Sequence, residues 1–183
     1  MTETHAFGNF VPRGAKYLIS GSFTVKQAVK GTPAYDDSYN WFYDKKRNQF
    51  WPILEAVYGL ELKDTVSRQK LFIKLGIAMA DIIYQCERTN DSNLDVNLTN
   101  LVYNTKAITR ILAKYPIGKI LFTSRFTEKK FKQIFKKIIV HYPNIELVTL
   151  PSPSPRYAAM RLSEKIEKYK ELLPKFDPLN TVT

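Results

Sequence analysis

The chain has 183 residues, 44% hydrophobic and 25% charged, which is the size and composition of one globular domain and too apolar for a disordered polypeptide. With 28 Lys and Arg against 17 Asp and Glu, the net charge is +11, so the surface field favours polyanions and nucleic acid heads the expected partners. One cysteine, Cys86, excludes an internal disulfide, and the two histidines, His5 and His141, add too few soft ligands for a zinc site or an iron–sulfur cluster.

Met1 to Phe10 lacks a basic segment leading into an apolar run, and no stretch approaches the roughly 20 apolar residues that span a bilayer. The expectation is a cytoplasmic monomer, off the membrane, made of a single domain over residues 1–183 with its core at about 16–173. Lys16 to Ser20 is a short apolar run ended by Gly21-Ser22, the pattern of a buried strand delivering its last residues to a loop. Asn48 to Tyr58 reads as a helix through Phe50, Trp51, Leu54 and Val57 or Tyr58, with Gly59 placed to stop it, and a second helix is expected over Arg68 to Leu75. Gly76 to Ile83 is apolar on both alternating faces, as in a strand covered on each side, and it ends near Cys86-Glu87-Arg88. Thr89 to Asn100 is expected to be a polar loop. Within it, Asn97-Leu98-Thr99 matches a glycosylation acceptor but signifies only a polar turn.

Thr105 to Lys114 places Ala107, Ile108, Ile111 and Leu112 on one helical stripe before the strand-like Lys119 to Thr123. Thr127 is the expected cap of a helix whose apolar face is Phe131, Ile134, Phe135, Ile138 and Ile139 and whose outer face is rich in lysine from Lys129 to Lys137. A strand over Glu146 to Leu150, the turn Pro151-Ser152-Pro153-Ser154-Pro155, and a helix over Ser163 to Leu173 close the chain. This alternation predicts an α/β fold with layered helices and sheet.

Ligands of α/β sheets gather outside the carboxyl ends of the strands. The residues following the expected strands are polar: Gly21 to Thr24, Asp81 with Cys86 to Arg88, Thr123 to Arg125, and Pro151 to Arg156. Hydroxyls and backbone donors there suit phosphate oxygens. Between the first strand and the first long helix, Tyr39 to Trp51 interleaves aromatic rings with Lys45, Lys46 and Arg47. Such rings stack on a nucleobase while the cations engage phosphates. Each has an ordinary structural reading as well: Asn48 as a helix cap, Trp41, Phe42, Phe50 and Trp51 as core, Asp81 bonding loop N–H groups, Cys86 as an inert small residue, and Lys129 to Lys137 as a solvated face.

The stretches Leu18-Ile19-Ser20-Gly21-Ser22-Phe23, Arg47-Asn48-Gln49-Phe50-Trp51, Ala80-Asp81-Ile82-Ile83 with Cys86-Glu87-Arg88, and Leu150-Pro151-Ser152-Pro153-Ser154-Pro155 resemble, in that order, the motifs of the uracil-DNA glycosylase superfamily. They are most similar in look to its mismatch-specific uracil and hypoxanthine-DNA glycosylase branches, and the resemblance runs from about Lys16 to Leu173. It implies a three-layer α/β/α sandwich around a central, mostly parallel sheet. It implies a monofunctional enzyme of base excision repair that flips uracil or hypoxanthine out of DNA and hydrolyses its N-glycosidic bond, without a cofactor or a metal. Asn48 matches the catalytic asparagine of the hypoxanthine branch, Tyr43 the aromatic that stacks on the base, and Asp81 falls near the residue that reads the base edge, with Phe23 as a further wall. Ser22, Ser152 and Ser154 match phosphate-gripping positions, and Arg156 or Tyr157 could wedge into the vacated stack. Phe23 and Leu150 stand where many relatives keep polar groups, which sets out the alternative: a DNA- or nucleotide-binding module on the same fold with altered or no catalysis. An enzyme of free nucleosides or nucleotides is a third reading, opposed by the +11 charge.

Overall fold

The computed structural model describes residues 2–24, 39–89 and 97–176. In chain order these form β1 (Thr2–Thr4), β2 (Asn9–Phe10), β3 (Tyr17–Ser20), α1 (Phe50–Tyr58), α2 (Thr65–Leu75), β4 (Ile77–Ala80), β5 (Ile83–Arg88) and β6 (Leu98–Tyr103). There follow α3 (Thr105–Lys114), β7 (Lys119–Phe122), α4 (Arg125–Ile134), α5 (Lys136–His141), β8 (Glu146–Thr149) and α6 (Leu162–Leu172). No helix among the described residues is long and apolar enough to cross a membrane.

The fold is mixed α/β. A five-stranded sheet runs β2-β4-β3-β7-β8, with β4, β3, β7 and β8 in parallel and β2 antiparallel at the edge. Side chains alternate across a strand, so a strand apolar at every position feeds two cores. Ile19, Ile77, Met79 and Leu121 pack with Phe50, Trp51, Phe72 and Tyr169 from α1, α2 and α6. Their neighbours Leu18, Ala78, Ile120 and Phe122 pack with Ile108, Leu112 and Phe131 from α3 and α4.

A second sheet, β1-β5-β6, is antiparallel and departs from the expectation of one mostly parallel sheet. The run expected as a single strand from Gly76 to Ile83 is broken. Gly76 ends α2 in the left-handed region, and the chain leaves the first sheet at Asp81 to enter β5. Cys86 and Glu87 therefore lie within β5 and Arg88 is its last residue, all three in the second sheet and not at the end of a parallel strand, and Cys86 is buried. Leu98 to Asn100, expected in a polar loop, open β6, because β5 supplies a partner that local composition does not announce. Residues 90–96 of that loop lie outside the described residues.

Helix boundaries shift for identifiable reasons. α2 starts at Thr65, since Asp64 and Ser67 form a reciprocal capping box. Ser124, not Thr127, caps α4: its hydroxyl accepts the Thr127 N–H at 3.1 Å, and Thr127 is buried inside the first turn. The helix expected to continue through Ile139 breaks at Phe135 into α4 and α5, a break that no feature of the sequence marks.

The segment leading into α1 is fastened by a buried ion pair. Arg68 Nη1 meets Asp44 Oδ1 at 2.6 Å, its Nε donates to the Leu62 carbonyl at 2.9 Å, and its guanidinium lies 4.9 Å from the Trp51 ring centroid. Removing one partner strands a buried charge, so Arg68→Met is expected to lower the unfolding free energy by about 3 kcal/mol. In urea titrations Arg68→Met combined with Asp44→Asn should lose less than the sum of the two single changes.

Candidate functional site

The loops after β3, β4, β7 and β8 meet at one end of the parallel sheet. Asp81, 2% exposed, sits beneath them: Oδ1 accepts the Gly21 N–H at 2.9 Å, and Oδ2 accepts the Thr24 hydroxyl at 2.7 Å and contacts His5 Nε2 at 2.9 Å. The Phe7 N–H donates to His5 Nδ1, so the ring proton belongs on Nε2, donated to Asp81. The Gly21 and Ser22 carbonyls in turn accept the Ile82 and Ile83 N–H groups. Phe23 packs edge-on to His5 at 5.7 Å between ring centroids.

Gly21 is required by close approach. A Cβ there would run into the Tyr43 hydroxyl and stand 2.8 Å from Asp81 Oδ1. Tyr43 reaches this position with φ +58. Its ring stacks on Phe50 at 4.5 Å and its hydroxyl shares a hydrogen bond with Thr123 Oγ1 at 3.0 Å, so it spans the ends of β3 and β7.

Asn48 precedes α1, and its Oδ1 accepts the Phe50 N–H at 2.9 Å. The amide NH₂ of Asn48 makes no hydrogen bond among the described residues. The next residue joins α1 to the proline-rich turn, since the Gln49 N–H donates to the Pro153 carbonyl at 2.9 Å. Lys165, 1% exposed, reinforces this joint: Nζ donates to Gln49 Oε1 at 2.8 Å and to the Ser154 carbonyl at 3.2 Å, and it lies 5.3 Å from the Tyr157 ring centroid. Tyr169 anchors the same turn by donating to the Pro151 carbonyl. Within the turn Ser152 Oγ accepts the Ser154 N–H, and Ser154 Oγ accepts the Arg156 N–H. These bonds use the hydroxyl oxygens and leave both O–H donors without an acceptor among the described residues.

A groove of about 550 Å³ opens beyond β7 and β8, lined by Ser124, Arg125, Ser152, Tyr157, Met160 and Lys168 among others. Thus Asn48, Tyr43, Ser152, Ser154 and Tyr157 share one end of the sheet, and Arg156 is exposed beside them. Ser22, Phe23 and Asp81 lie around the end of β3, where Asp81 serves the loop itself. Leu150 is buried in the core. Thr123 lies at the strand end as expected, whereas His5 and Lys165 escaped the sequence reading. Lys165 had a legible signal, because it falls on the i, i+4, i+8 stripe with Tyr169 and Leu173. His5 had none, since its partner Asp81 is 76 positions away.

No family model and no curated protein matches the chain. Among solved structures it is similar to the solution NMR structure of a "putative Uracil DNA glycosylase" from Methanosarcina acetivorans, with a TM-score of 0.60 and 18% identity over 94% of this chain and 99% of that one. At this identity the likeness is one of fold.

Two outcomes follow from this geometry. Gly21→Ala is expected to destabilise by about 1–3 kcal/mol through overpacking, and adding Tyr43→Phe should restore part of that loss in denaturant unfolding. Burial holds the Lys165 ammonium below the ordinary lysine value of 10.5, so the folded chain releases that proton at lower pH than the unfolded chain. Its contribution to stability therefore rises as pH climbs from the lowered value towards 10.5. Lys165→Met should lack this rise when urea unfolding is compared between the two proteins at stepped pH.

Proposed function

We propose that the protein is a monofunctional DNA glycosylase that flips a deaminated base, uracil or hypoxanthine, from the stack and hydrolyses its bond to deoxyribose, on a three-layer α/β/α domain of the glycosylase type. The observation that carries this reading is the convergence of residues from well-separated motifs, with the Asn48 amide NH₂ and the Ser152 and Ser154 hydroxyl donors unused among the described residues where ligands of such a sheet gather. The similarity of fold and the +11 charge support it.

In this reading the base lies on the half-buried Tyr43, whose ring is backed by Phe50. The C1′–N bond breaks with its electron pair leaving on the base. Asn48, whose Oδ1 is already an acceptor for Phe50, turns its NH₂ to a carbonyl oxygen of the departing base and stabilises the charge that develops there. Water adds to C1′ and loses its proton to solvent. Ser152 and Ser154 donate to the flanking phosphates with Ser22 on the opposite side, Arg156 or Tyr157 fills the gap in the stack, and Phe23 walls the pocket. Asp81 reads the base edge only by sharing Oδ1 with Gly21. Lys165 is turned to Gln49 and Ser154, so it is not a Schiff-base nucleophile, and strand cleavage requires alkali or a second enzyme.

The test is a denaturing gel of alkali-treated oligonucleotides carrying uracil, hypoxanthine, xanthine or mismatched thymine. Asn48→Asp keeps the acceptor oxygen for Phe50 and removes the donor, so it should lose roughly a hundredfold in rate with unchanged unfolding. A rate like that of wild type would leave Asn48 only its local bond to the Phe50 N–H, one residue outside the N-cap Gln49. Folded wild type that binds these DNAs and releases no base would establish the alternative, a binding module with altered chemistry. The Tyr43 hydroxyl against Gly21 and the burial of Leu150 favour that alternative.

A further inference from the structure

The lysine-rich helix face is the strongest feature that the proposed chemistry leaves unused. Arg125, Lys129 and Lys132 follow one another at spacings of four and three, which keeps them on one side of α4, Lys136 opens α5 directly past the break at Phe135, and all four are exposed. The opposite side buries Thr127, Phe131 and Phe135, so the orientation of this stripe is set by the core. Between Lys119 and Tyr142 the one acidic residue is Glu128. Lys132 Nζ and the Thr149 hydroxyl both bond Glu128, which lowers its pKa and keeps its charge facing inward on the sheet. Arg125, Lys129 and Lys136 make no ion pair among the described residues.

The stripe is continuous with the candidate site. Arg125 lines the groove beyond β7 and β8 together with Ser152 of the proline-rich turn and Tyr157, and it is the first residue of α4. Along α4 from Arg125 to Ile134 the helical rise covers about 15 Å, comparable with the rise of about four nucleotides along one strand. Resting on the DNA reading above, we propose that the groove and the α4–α5 stripe form a phosphate track, which carries the DNA backbone flanking the substrate nucleotide on one side only. Tyr157 and Met160 offer an apolar wall to the sugar and base next to the flipped nucleotide, and the cations take the phosphates beyond it. The resulting interface is asymmetric about the site.

The probe is a set of fluorescent duplexes with a central tetrahydrofuran abasic analogue and short flanks, each then extended on one side or the other, read by anisotropy over a range of salt. Extension on one side should tighten binding roughly tenfold and extension on the other should not. Lys129→Glu with Lys136→Glu should abolish that gain and lower the slope of log affinity against log salt by about 0.9 for each phosphate the protein no longer neutralises. A second double reversal on exposed α2 and α3 positions, Lys70→Glu with Lys106→Glu, should keep the one-sided gain. Equal losses in the two doubles, or equal gains from extension on both sides, would reduce the stripe to the general field and overturn the track alone. Wild type that binds none of these duplexes would overturn the DNA reading together with the track.

Discussion

The organising constraint is one buried carboxylate. Asp81 lies at the end of a strand that is apolar on both faces, and taking an isolated carboxylate out of water costs several kcal/mol unless donors surround it. Here the donors come from three places in the chain: the Gly21 N–H, the Thr24 hydroxyl and His5. Satisfying Asp81 fixes the loop after β3, draws the N-terminal segment onto the same end of the sheet, and turns the chain out of β4 towards the second sheet. The charge reaches further, since Asp81 adds to the burial that raises the phenol pKa of Tyr39.

Two buried cations complement it, and each holds a segment of the candidate site. Arg68 clamps Asp44 next to Tyr43, which helps to keep Tyr43 in its left-handed conformation. Lys165 bridges the start of α1 and the proline-rich turn, and so sets Asn48 and the two serines of that turn in one frame. Among the described residues, a protein with a +11 charge thus buries Arg68 and Lys165 to build the loops, while its exposed cations contribute to the field.

Much of the architecture was legible along the chain. The runs at Tyr17, Lys119 and Glu146 became parallel strands, and the stripes of α1, α3 and α6 became buried helix faces, because periodicity reports burial directly. The second sheet was not legible. Its strands are polar and mixed, and they are defined by pairing between Thr2–Thr4 and Gln85–Glu87, partners more than 80 positions apart. Clustered aromatics divided as their surroundings required: Trp41, Phe42, Phe50 and Trp51 went to the core, and Tyr43 alone reached the strand ends.

Sequence alone determined the class of fold, the basic field and the polar residues that follow the strands, since composition and period are local properties of the chain. Only the tertiary structure decided what those residues are free to do. It engaged Asp81 with its own loop, filled the space over Gly21 with the Tyr43 hydroxyl, and left the Asn48 amide NH₂ and the Ser152 and Ser154 hydroxyl donors without a partner among the described residues. Whether a polar group is satisfied depends on neighbours brought from distant parts of the chain, and spacing along the sequence does not contain them.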